Sequence, residues 1–99
     1  MRVLICLDVD GTIETSAGPV AVSLLERLRD AGADVVIVSP SSAKPQGFPV
    51  VLDGATRGDC LRAAKALFPA DLCLYVSNNG DQAEAEGAGF SFVTEGEFR

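Results

Sequence analysis

Asp8 and Asp10 stand two positions apart in Asp8-Val9-Asp10-Gly11-Thr12, where the apolar run Val3 to Leu7 gives out. Carboxylates that close raise one another's pKa unless a cation or hydrogen bonds compensate. A hard divalent ion with oxygen ligands, Mg²⁺ above all, is the natural compensation. Two more apolar runs close on polar residues: Val35 to Val38 on Ser39, and Leu72 to Val76 on the turn Ser77-Asn78-Asn79-Gly80-Asp81. Each also has a plainer reading as turn chemistry, since Asp, Asn, Ser and Gly favour turns. The cations open to such a site are Arg57, Lys65 and Lys44. Histidine is absent, which removes imidazole acid–base chemistry and His-metal sites. Catalysis must then rest on carboxylates, hydroxyls, amides, Lys or Arg.

The elements that position these groups follow from pattern. Val3 to Leu7, apolar on both faces, suits a central parallel strand covered on both sides. Residues 12 to 18 read as a loop, and Pro19 suits a first helical position. Val20 to Ala31 carries Ala21, Leu24, Leu25, Leu28 and Ala31 at helical spacing, with Gly32 as the C-terminal cap. A second strand spans Val35 to Val38. Residues 40 to 48, with two prolines, form a loop, and Pro49 to Leu52 a short third strand.

Thr56-Arg57-Gly58-Asp59 has the form of a capping box opening a helix with Leu61, Ala64 and Phe68 on one face. Leu72 to Val76 is a fourth strand, residues 82 to 88 a short helix, and Phe90 to Val93 a last strand. This order predicts an α/β fold, a three-layer sandwich around a central parallel sheet. Its functional groups should gather at the C-terminal strand ends.

The chain of 99 residues is long enough for one domain, residues 1–99, and its 47% hydrophobic content is that of a folded globular chain. No apolar run approaches the roughly 20 residues that span a bilayer, and the N-terminus lacks the form of a signal peptide. Cys6, Cys60 and Cys73 have apolar neighbours and no paired spacing. Unpaired thiols point to a cytoplasmic setting. The net charge of −6 disfavours non-specific affinity for nucleic acid.

Asp8-Val9-Asp10-Gly11-Thr12 after an apolar strand resembles the first motif of the haloacid dehalogenase (HAD) superfamily, Asp-x-Asp-x-Thr or Asp-x-Asp-x-Val. Ser39 at the end of Val35 to Val38 is similar to its second motif. Thr56-Arg57-Gly58-Asp59-Cys60-Leu61 resembles a form of its third, with Arg57 in the lysine's place; Lys65 and Lys44 are the rivals. The fourth motif departs: Ser77-Asn78 stands where the family has Gly-Asp, followed by one acid, Asp81. The Ala-rich stretch from Ala83 to Gly89 matches what the family has next.

The resemblance implies an HAD-like Rossmannoid fold without a cap domain and a magnesium-dependent phosphatase. Asp8 would be the nucleophile, Asp10 the acid and base, and Ser39 and Arg57 the phosphate-holding groups. Mg²⁺ would be held by Asp8, Asp10, Asn78 and Asp81. The substrate would be phosphorylated, a small molecule or a nucleic-acid end, with a second subunit able to stand in for the absent cap. Two other classes remain open: a degenerate relative that binds phosphate or a partner without turnover, and a receiver-like or flavodoxin-like binding fold in which Asp8 and Asp10 form an acidic metal pocket, with Asp53 the competing acceptor.

Overall fold

The computed structural model describes residues 1–78 and 80–99; Asn79, named above in the turn after the fourth strand, lies outside the described residues. Strands β1 (Val3–Leu7), β2 (Asp34–Ile37), β3 (Leu72–Ser77) and β4 (Ser91–Thr94) form one sheet in the order β2-β1-β3-β4, and every neighbouring pair is parallel. Helices α1 (Val22–Asp30), α2 (Arg57–Leu67), α3 (Gln82–Gly87) and α4 (Glu95–Phe98) flank it. The expected parallel α/β architecture is the one the chain adopts.

Side-chain alternation along β1 builds two cores. Leu4 and Cys6 pack with Tyr75 of β3, Leu61 and Ala64 of α2, and Ala85 of α3. Ile5 and Leu7 pack on the opposite face with Ile37, Val76 and Leu25 of α1, and Phe98 of α4 joins that cluster. A strand covered on both faces is why β1 reads as an unbroken apolar run. From β1 the chain crosses to β2 on one side, then returns past β1 to β3 on the other. In an open parallel sheet this reversal opens a crevice beyond the strands' carboxyl ends. Asp8 leaves β1, and Ser77 closes β3, at that crevice.

Several boundaries differ from the sequence reading. The expected third strand, Pro49 to Leu52, reduces to one bridge between Val50 and Ile37. Ile37 N–H donates to Pro49 O at 2.8 Å and Val51 N–H to Ile37 O at 2.9 Å. Proline has no N–H to extend the ladder. Pro19 does not open α1 either. Val20 N–H donates to Thr12 O at 3.0 Å and its carbonyl accepts from Glu14 at 2.9 Å, so it closes a bridge with Ile13 instead. Between them Glu14–Ser16 makes a single 3-10 turn. At the other end of α1, Gly32 N–H donates to Arg29 O and Ala33 N–H to Leu28 O, both at 3.0 Å, a Schellman pair. Helix α4 was not expected, although Thr94 and Glu97 form a capping box around its first turn.

Gly18 N–H donates to Ile13 O at 3.0 Å. A Cβ at Gly18 would overlap the backbone of Thr12 and Ile13. Gly18→Ala should therefore destabilise the fold by about 2 kcal/mol, within the range for overpacked sites. A denaturant midpoint lowered at unchanged slope is the expected reading; an unchanged midpoint would refute it.

Candidate functional site

Asp8 N–H donates to Val76 O at 3.1 Å, carrying the β1–β3 ladder one step past Leu7. Leu7 is in register with Val76 on one side and Ile37 on the other. Asp8 is thus flanked by Ser77 and Val38, and its carboxylate turns toward α2. The Asp8 side chain is 5% exposed, with Oδ1 3.3 Å from Arg57 Nη1. The Ser77 hydroxyl donates to Oδ2 at 3.5 Å.

Arg57 is the first residue of α2, and its place is fixed by the cap. Thr56 Oγ1 accepts from Asp59 N–H at 3.1 Å, while Asp59 Oδ2 accepts from Ala55 and Thr56 N–H at 3.2 and 3.4 Å. Glu84 Oε1, from α3, accepts from Gly58 N–H at 3.2 Å. Those amide bonds hold the Asp59 carboxyl below its ordinary range.

Of the three candidate cations, Arg57 is the one that meets Asp8. The Lys65 amine lies over Gly89, and Lys44 Nζ donates to Ser41 O at 2.8 Å. Burial works against the Arg57 charge, but Tyr75 and Asp8 outweigh it and raise the guanidinium above its usual value.

Tyr75 is a member of this cluster that the sequence reading passed over. Its hydroxyl accepts from Arg57 Nη1 at 2.7 Å and donates to Asp81 Oδ2 at 2.8 Å. The guanidinium also lies 5.9 Å from the Tyr75 ring centroid. Burial pushes the phenol well above its ordinary pKa, which keeps it a neutral donor. Asp8, Arg57, Tyr75 and Asp81 thus form one hydrogen-bonded and ionic chain. The available signal was one phenol, the chain's single Tyr, inside an otherwise apolar strand.

The other candidates are arranged around this chain. Asp10 is exposed, and its Oδ1 accepts from Ser16 at 2.6 Å and from Ser41 at 2.8 Å. These two hydroxyls, Ser16 first, hold its carboxyl below the usual range. Asp8 and Asp10 therefore face different partners. Ser39 is buried, its Oγ accepting from Ser41 N–H at 3.2 Å, so its own O–H is left to donate elsewhere. Asn78 is exposed and paired with buried Thr12: Asn78 N–H donates to Thr12 Oγ1 at 3.2 Å, and that hydroxyl reaches Asn78 Oδ1 at 3.4 Å. Gly11, with φ +73, lies directly under the Asn78 amide, where a Cβ would collide with it. Asp53 is exposed in the segment between the Val50 bridge and α2.

Donors at this crevice are oxygens throughout, which suits a hard cation. Among the described residues no three Asp, Glu or Cys side chains gather closely enough to cage a metal alone. Mg²⁺ asks for less: one or two carboxylates, with waters and substrate phosphate completing its shell. The Asp8 carboxylate fits that mode; the Asn78 amide lays its nitrogen over Gly11 and gives its oxygen to Thr12, so it would have to turn to serve as a ligand. Asp81 is held more tightly, one of its oxygens accepting from the Tyr75 hydroxyl at 2.8 Å against 3.4 Å between Thr12 and Asn78 Oδ1.

Among the described residues no helix is long and apolar enough to cross a membrane. Compared with known proteins, the chain matches no family model, no curated protein and no solved structure.

Proposed function

We propose that this chain is a phosphatase of HAD type, hydrolysing phosphate monoesters through an aspartyl-phosphate on Asp8. The observation that carries the reading is the ion pair of 3.3 Å between buried Asp8, at the end of the central strand, and Arg57, at the head of α2. An anion seated with a guanidinium at a topological switch point is arranged to take a phosphoryl group. The HAD-like Rossmannoid assignment rests on the same placement, together with the order β2-β1-β3-β4.

An Asp8 carboxylate oxygen attacks phosphorus, forming an O–P bond as the bond to the leaving alcohol breaks. Arg57 offsets the charge on the non-bridging oxygens, and the Ser39 hydroxyl donates to one of them. Asp10 protonates the departing alkoxide, then takes a proton from the water that attacks the acyl phosphate. Held as an anion by Ser16 and Ser41, Asp10 is already set for the second step; the first needs those hydroxyls to let go of a protonated carboxyl. The Asp8 carboxylate and the Asp10 carbonyl would hold Mg²⁺, with the Asn78 amide oxygen once turned from Thr12, and the ion would neutralise phosphate charge as a hard Lewis acid.

The substrate is a phosphate ester, a small molecule or a nucleic-acid end, and a second subunit is able to cover the crevice. Three buried, unpaired cysteines favour a reducing cytoplasm. A second reading, phosphate binding without turnover, is favoured by one observation: Asp81, the acid left in the fourth turn, is bonded to Tyr75.

Magnesium-dependent hydrolysis of a small panel of phosphate esters tests the reading directly. Turnover supports it; saturable phosphate binding with no turnover supports the second. Asp10→Asn should slow turnover by about 10²–10⁴-fold, the usual range for a lost acid–base group; an unaltered rate would remove Asp10 from the mechanism.

The metal assignment has its own test. Asn78→Asp adds an anionic oxygen and should lower the Mg²⁺ concentration for half-maximal rate by roughly tenfold. Asp81→Asn should change it little, because Asp81 serves Tyr75. The reverse ranking in a magnesium titration would move the ligand role to Asp81.

A further inference from the structure

Arg57 has a second neighbour that the phosphoryl chemistry does not use. A cavity of about 280 Å³ opens beside it, walled by Val38, Pro40, Leu52, Ala55 and Cys60, with Thr56 at the start of α2. Val38 and Cys60 are buried, while Leu52 keeps 44% of its surface open to solvent. Arg57 is the single charged residue in the wall. The same guanidinium therefore touches Asp8 on one hand and borders a hollow of mixed polar and apolar lining on the other.

We propose that this cavity receives the alcohol half of the substrate, and that this half is a compact, uncharged ring. The proposal rests on the phosphatase reading and narrows it to small-molecule phosphates of aryl or benzyl type, rather than nucleic-acid ends. Size permits it: an enclosed cavity of about 150 Å³ holds benzene, and this hollow of about 280 Å³, open to solvent on one side, has room for a ring with a substituent. Chemistry agrees too. The wall sets the apolar side chains of Val38, Pro40 and Leu52 beside a few polar groups, Thr56, Arg57 and backbone, a usual lining for a small-molecule pocket. It holds no carboxylate or lysine to recognise a charged leaving group. A polynucleotide would bring further phosphates to a chain of net charge −6 with one cation at this mouth. The exposed Leu52 at the rim gains cover only when something apolar lies against it.

Phosphonates separate binding from turnover, because their C–P bond is not hydrolysed. With Mg²⁺ present, phenylphosphonate should bind the parent protein about tenfold or more tightly than methylphosphonate, the gain coming from the buried ring. It should shift the amide resonances of Val38, Leu52 and Gly54. Ala55→Trp, at an exposed position, fills the cavity and should abolish the preference while leaving methylphosphonate affinity unchanged. Leu52→Asp gives a second variant with the same expected loss. Equal affinity for the two phosphonates overturns the proposal, as does a ring preference that survives both variants. Absence of binding by either phosphonate overturns it as well. In each of those cases, hydrolysis of acetyl phosphate blocked by Asp8→Asn still reports on the phosphatase reading by itself.

Discussion

Asp8→Asn should abolish turnover, lowering the rate by roughly 10⁴–10⁶-fold, as for other lost nucleophiles. The amide is the same size and still accepts from Arg57, so the cleft keeps its shape while the attacking charge disappears. Some stability goes with that charge. A hydrogen bond to a charged group contributes more than one between neutral partners, and we expect a cost of about 1–2 kcal/mol. Steady-state hydrolysis of a small phosphate ester, with a thermal melt of the same sample, reads both effects. An Asp8→Asn protein that is fully folded and turns over at the parent rate would remove the covalent mechanism.

Arg57→Ala is the second large effect, and it acts on stability as well as rate. The Asp8 side chain is 5% exposed and that of Arg57 19%. Removing one member of a buried pair costs about 3–5 kcal/mol, because the partner's charge stays buried. Arg57 keeps some access to water, so the lower end, about 3 kcal/mol, is expected. For a domain of this length each kcal/mol moves Tm by about 4–8 °C, so a drop of at least ~12 °C follows. Turnover of the folded fraction should fall by about 10²–10³-fold through loss of the phosphate clamp. One Nη1 serves both Asp8 and Tyr75, so Arg57→Lys can restore that charge with a single ammonium while lacking the planar fork that suits phosphate. It should regain part of the stability and little of the rate. Full activity in Arg57→Ala would assign the clamp to another cation.

Much of this site was legible because its signals are local. The apolar run ending at Asp8 announces a central strand and its carboxyl end in a few consecutive residues. The cap of α2 lies within Thr56 to Asp59, so the head of the helix, and Arg57 on it, could be placed from sequence alone. Ser39 was read the same way, from the polar stop of Val35 to Val38. Tyr75 escaped because its partners, Arg57 and Asp81, are 18 and 6 residues away. Alternation along a strand gives no hint that one side chain carries a bond at its tip. Asp10 was read as a neighbour of Asp8, yet tertiary contacts with Ser16 and Ser41 turn it elsewhere. Pro19 satisfied the local rule for a helix start and lost to the Thr12–Val20 pairing, a contact between loop ends. Helix α4 was missed for the opposite reason: its signal, Thr94 with Glu97, was present and short enough to overlook.

The amides at the start of α2 are already spoken for: Ala55 and Thr56 by Asp59, and Gly58 by Glu84. Open helix ends attract anions through unpaired N–H groups and a partial positive charge. Here two carboxylates occupy that end, so its amides are closed to an external anion. Arg62 answers Asp59 at 3.3 Å on the outer side of that helix end, so the half-buried cation left facing the crevice is Arg57, and the field there is lopsided. A guest with one anionic end would be favoured in one orientation, that end toward Arg57.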